Sequence, residues 1–148
     1  MAAPTAAFAQ TMPAGSYVAK AGASDLFERQ SGMVMAKSRN ADIRQYAMMM
    51  TRDHAKSTAD VKMAARAGRV PVAAPRLSPM QARDLAALKR ARGDAQDRLY
   101  IEQQKAAHQE ALTLQQGYAT DGTVAPLRMA AGKIVPVVEH HIQMLAGM

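Results

Sequence analysis

Proline sets the first limit on what this chain can fold into. None falls between Pro13 and Pro71, or between Pro79 and Pro126, so two long stretches carry no obligatory helix break. Their filling suits that freedom: the chain has 32 alanines and 12 methionines against nine valines and four isoleucines. Alanine and methionine favour helix, whereas β-branched residues favour strand. The fold class read from the sequence is therefore all-α, and an all-β domain is excluded. At 148 residues the chain is long enough for one domain with a real core, needing no disulfide to hold it.

Local signals divide the stretches. Ser38-Arg39-Asn40 interrupts the first, Gly68 to Pro75 reads as a linker, Gly93-Asp94 as a stop and cap, and Thr120 to Thr123 as a turn. Four long helices follow, over about 16–37, 41–67, 94–118 and 124–146. A short amphipathic helix over 78–92 lies between the second and third, with Ser78-Pro79 as its N-cap and first residue. Pro136 falls inside the last helix and is expected to kink or break it. The architecture expected is an antiparallel, up-down-up-down four-helix bundle over 15–148.

Composition removes several chemistries. Without cysteine there is no thiolate zinc site, iron–sulfur cluster or thiol nucleophile. Tryptophan is absent and aromatics make up 4%, too few for base-stacking platforms. No hydrolase elbow, phosphate-cradling loop or His-Glu-x-x-His stretch occurs, so no catalytic residue or organic cofactor is assigned. The net charge of +7 is densest at Lys89-Arg90-Ala91-Arg92, a run with no aromatic and no nucleic-acid motif. It reads as a solvated face or a contact for anionic envelope polymers rather than for nucleic acid. No apolar run approaches the ~18–20 residues of a membrane span. At the N-terminus, Ala7-Phe8-Ala9 before Gln10 resembles the end of a secretory signal peptide. Residues 1–14 are thus expected to be a leader remnant or unstructured tail, and the protein to be periplasmic.

The helical stripes carry polar residues where apolar ones are expected. The inward positions read Val18, Ala21, Asp25, Glu28, Gly32, Met35 on the first helix and Ile43, Ala47, Met50, His54, Val61 on the second. The third gives Ile101, Gln104, His108, Ala111, Gln115, Tyr118, and the fourth Leu127, Ala131, Ile134, Val138, His141, Leu145. His140 is one position off the seam. Counted from the breaks between the helices (39/40, 68/94 and 120/124), His54 and His108 come level, Glu28 lies within side-chain reach, and His141 is ~7.5 Å away along the axis. Glu28, His54, His108 and His141 form a candidate ligand set for one divalent zinc, iron, manganese or copper ion, one donor per helix. The alternative is a metal-free, hydrogen-bonded polar core. Met33, Met35, Met48 to Met50, Met63 and Met144 offer thioethers, but the Met48 to Met50 run winds over three faces, and core filling is the reading preferred.

These same residues carry a resemblance. Leu26-Phe27-Glu28-Arg29-Gln30-Ser31, Asp42 to His54, Asp97 to Gln109, Leu127-Arg128 and Pro136 to His141 together resemble the ferritin-like bacterial domain of unknown function numbered forty-one forty-two. The similarity runs over about residues 17–146. It implies a ferritin-like four-helix bundle in an exported, mostly periplasmic protein, with recurrent polar positions at Glu28, Asp53, His54, Tyr100, Gln104, His108 and His141. Asp53, Tyr100 and Gln104 are then candidates to orient the histidine rings. No Glu-x-x-His spacing occurs, so a carboxylate-bridged di-iron centre is not expected. Three functions remain: metal handling or stress tolerance, a structural or interaction module, and a metal-dependent redox enzyme requiring an open coordination position.

Overall fold

The computed structural model describes residues 11–148; the expected leader cleavage before Gln10 falls outside them. It has five helices, α1 (Ala14–Met35), α2 (Ala41–Ala67), α3 (Pro79–Arg90), α4 (Gly93–Asp121) and α5 (Ala125–Ala146), with no strand among the described residues. Helix α1 begins two residues earlier than expected. Pro13 fills the N-cap position, its carbonyl accepting from Tyr17 N, and Met12 and Ala14 already lie against the core. Asn40 caps α2 by accepting from the backbone of Asp42 and Ile43, and Ser78 and Gln81 form a reciprocal capping box on α3. Helix α5 runs through Pro136 without a break.

The core has two apolar clusters. One contains Tyr17, Val18, Ala21, Val61, Ala65, Ala111, Tyr118, Leu127, Ala131, Ile134 and Val138; the other Met35, Ile43, Tyr46, Ala47, Met50, Leu88, Tyr100 and Leu145. Every long helix contributes to both, and the order in which it does so gives its direction. Helices α1 and α5 run from the first cluster to the second, while α2 and α4 run from the second to the first. The neighbours are α1 with α2, α2 with α5, α5 with α4 and α4 with α1. Each long helix is therefore antiparallel to both of its neighbours, and α2 lies parallel to α4 across the diagonal.

That corrects the up-down-up-down expectation. The connection from Gly68 to Arg92 contains a proline-rich segment and α3, and it returns the chain to the far end of the bundle. Val70 packs on the first cluster and Leu88 belongs to the second. His54 and His108 still come level, because His54 is the middle residue of the 27-residue α2 and its height is the same from either end.

Close helix approach is set at Gly32. A Cβ there would lie 2.6 Å from Thr51 Oγ1 and 2.7 Å from the Ala47 carbonyl oxygen on α2. Alanine would gain ~1 kcal/mol of helix propensity but collide with backbone. We expect Gly32→Ala to be destabilising by a net ~1–3 kcal/mol, read from its urea midpoint; an unchanged or raised midpoint would mean the helices can separate at no cost.

The methionine expectation holds only in part. Met35 and Met50 are fully buried, but Met33, Met48 and Met63 are 56%, 60% and 66% exposed. Core filling explains the first pair and not the other three.

Candidate metal centre

Between the two apolar clusters lies a polar layer. Asp25 and Glu28 come from α1, His54 from α2, Gln104 and His108 from α4, and His141 from α5; all are buried. All six stand on the inward stripes read from the sequence, and His140 is exposed.

The three imidazoles form a nearly equilateral triangle, with ring centroids 5.3, 5.5 and 5.6 Å apart. One nitrogen of each lies within 4.8 Å of those of the other two. Each ring is also held by an acceptor. His54 Nδ1 donates to Asp25 Oδ1 at 2.8 Å, His108 Nδ1 to the Gln104 carbonyl at 2.9 Å, and His141 Nε2 to Asp53 Oδ2 at 3.0 Å. Asp25 is itself held, Thr58 Oγ1 donating to its Oδ2 at 3.0 Å, and Arg52 pairs with Asp53.

These acceptors fix the tautomers. With the outer nitrogens protonated, the inner nitrogens His54 Nε2, His108 Nε2 and His141 Nδ1 carry lone pairs in the neutral rings. His108 Nε2 and His141 Nδ1 face each other at 3.3 Å, and His54 Nε2 is buried with no partner in the protein. Converging lone pairs repel unless a cation or a proton lies among them. Two nitrogens bound to one tetrahedral ion at ~2.0–2.1 Å would be ~3.4 Å apart, close to the spacing seen. Carboxylate or carbonyl behind each ligating ring is also the arrangement that orients histidines on metals.

Electrostatics agree. Burial pushes His108 down to about 3, helped by the charge of His54, so it is neutral near pH 7. Burial likewise lowers His141 to about 4, against the pull of Asp53. Burial also acts to lower His54, but the Asp25 hydrogen bond and the charges of Glu28, Asp25 and Asp53 outweigh it and hold His54 above the ordinary histidine range. Two rings are therefore ready ligands, and the third exchanges its proton for the metal.

Glu28 sits differently from the expectation that it is a fourth ligand. It is buried, and its Oε1 is 3.8 Å from His108 Nδ1, too far for a hydrogen bond. It is not among the donors that lie mutually within 4.8 Å. Burial pushes its carboxyl up to about 7, while His54 pulls it down. Of the groups expected to orient the rings, Asp53 binds His141 by its side chain and Gln104 binds His108 by its carbonyl. The Tyr100 hydroxyl touches no ring nitrogen. Sequence reading left Asp25 without a role, although its place on the inward stripe of α1 marked it. It also left Tyr46, whose ring lies 6.5 Å from those of both His108 and His141.

The shifts give the metal-free protein a stability maximum within the ordinary histidine range. Below it, unfolded chains take up protons on His108 and His141 from about 6.5, while the folded rings refuse them until about 3 and about 4 respectively. Glu28 opposes this by one proton only, between its ordinary value and about 7. Above the maximum, His54 and Glu28 lose protons they hold more tightly when folded, so stability declines again. Urea midpoints of chelator-treated protein should thus fall on both sides; a midpoint rising steadily toward pH ~4 would contradict the burial of His108 and His141 as neutral rings.

A helical bundle with a polar waist of three carboxylate- or carbonyl-backed histidines is the class of protein that fold and site define. The chain matches, over residues 1–148, the family described as Domain of unknown function (DUF4142), and it belongs to that family. Searches among curated proteins and among solved structures found no match.

Proposed function

We propose that this protein is a metal-binding ferritin-like four-helix bundle in which His54, His108 and His141 hold one divalent first-row transition-metal ion. The observation that carries this reading is the convergence of three buried imidazole nitrogens, each ring backed by its own acceptor. Imidazole donors suit zinc, copper, iron or nickel, and manganese less well. Glu28 adds a nearby carboxylate, and with Asp25 and Asp53 it gives the site the negative charge that a dication neutralises. Asp25, which holds His54, also lines a cavity of about 410 Å³ between α1, α2 and the proline-rich connection.

On this reading the protein serves metal handling or stress tolerance. The Ala7-Phe8-Ala9 pattern and the family resemblance support export to the periplasm. The +7 charge supports contact with anionic envelope polymers; among the described residues no helix is long and apolar enough to cross a membrane. The competing reading, a polar core that only fixes helix register, draws on the 3.3 Å His108–His141 contact, which one shared proton would also satisfy.

Asp25 separates the two. Losing a hydrogen-bond partner behind a ligating histidine weakens metal binding by ~10–100-fold. Zinc titrations followed by calorimetry should show that weakening in Asp25→Ala, with one zinc per chain retained. Equal affinity in both proteins would detach Asp25 from any metal role, and no zinc binding in wild type would leave the register device.

A further inference from the structure

Beside the three imidazoles lies a second group of polar atoms that the metal does not explain. Glu28 Oε2, the Tyr46 and Tyr100 hydroxyls and both amide atoms of Gln104 are buried with no hydrogen-bond partner in the protein. They form one cluster. The Tyr46 ring lies 6.1 Å from that of Tyr100 and 6.5 Å from those of His108 and His141. The charge of Glu28 reaches both phenols. The Gln104 amide stands beside the Glu28 carboxyl, near enough to favour its charged form but without hydrogen-bond alignment. Buried polar groups normally have partners, and five such atoms next to one site call for something that answers several at once.

The geometry points to an exchangeable fourth coordination position on the metal, turned toward Glu28, Gln104, Tyr46 and Tyr100 and taking a small oxygen ligand of water size that a small anion can replace. This rests on the metal reading above. Three histidine nitrogens with one further position held by water is the form of an open site, whereas a closed structural site would use four protein ligands. Glu28 stands outside the group of mutually close donors, its Oε1 3.8 Å from the outer nitrogen of His108 and its charge felt by His54, so it could reach the ion only through a bound water. A carboxyl, two phenols and an amide can donate or accept as required, so the same cluster holds a neutral or a deprotonated ligand.

Cobalt(II)-loaded, tag-free protein titrated with azide tests this by visible absorption. We expect one cobalt per chain and a saturable change in its ligand-field bands. Tyr46→Phe, which removes one hydroxyl and keeps the ring, should weaken azide by about three- to tenfold, the loss of one hydrogen bond. Glu28→Gln should reduce cobalt affinity less than His108→Ala does. A bound cobalt that ignores azide overturns the open position, as does Glu28→Gln losing cobalt as fully as His108→Ala; Glu28 is then a direct ligand and the metal reading survives. Azide affinity unchanged in Tyr46→Phe overturns the direction assigned to the open position. Failure of wild type to bind cobalt removes both the metal reading and this one.

Discussion

His108→Ala should abolish the stabilisation that a bound metal confers. An ion that binds only the folded state raises stability by ~2.7 kcal/mol when its free concentration is a hundredfold above the dissociation constant. His108 is the ligand most firmly placed: fully buried, held by the Gln104 carbonyl and 3.3 Å from its neighbour on α5. Without it only two imidazoles remain, and the metal-dependent shift in melting temperature should vanish. His140→Ala is the matched control, because its side chain is exposed and one position off the inward stripe. The comparison is made for each protein with and without metal, so any cavity left by the truncation cancels. Equal shifts for His108→Ala and wild type would place the ion elsewhere.

The other large effect is expected at Leu127, in the apolar half of the core. It is fully buried among Tyr118, Ala131 and the residues of α1 and α2 in the same cluster. Leu127→Ala should cost ~2–5 kcal/mol, combining lost apolar burial with the cavity left behind. Many of its neighbours are alanines, which have no side-chain freedom with which to fill the gap, so the upper part of that range applies. Leu127 lies toward the N-terminal end of α5 and His141 toward the other, so the metal-linked gain should persist in this variant. Urea unfolding with and without zinc checks both statements. A cost below ~1 kcal/mol would mean that the cluster repacks, and a lost metal response would mean that the polar layer depends on the apolar one beneath it.

Much of this arrangement was legible in the sequence because helix periodicity is strict. Every stripe position read on α1 and α5 is buried, including Asp25, Glu28 and His141, which hydrophobicity alone would have placed outside. On α4, Ile101 is only partly buried while the polar Gln104, His108 and Gln115 are inside, so spacing outranked residue type. Direction was harder. A connection as long as Gly68 to Arg92 permits the next helix to start from either end, and local signals do not say which. The offset expected for His141 shrank for a local reason: α4 runs to Asp121 and α5 starts at Ala125, each one residue past the point from which the offset was counted. Asp25 and Tyr46 illustrate a different limit. Their roles depend on which side chain meets them across the core, and that pairing exists only once the helices are packed.

Metal content decides the central claim most directly. Tag-free protein, stripped with chelator and dialysed to equilibrium against zinc, should hold one zinc per chain by elemental analysis, and His108→Ala treated in the same way should hold none. Wild type emerging without zinc, or His108→Ala retaining as much as wild type, would contradict the three-histidine site.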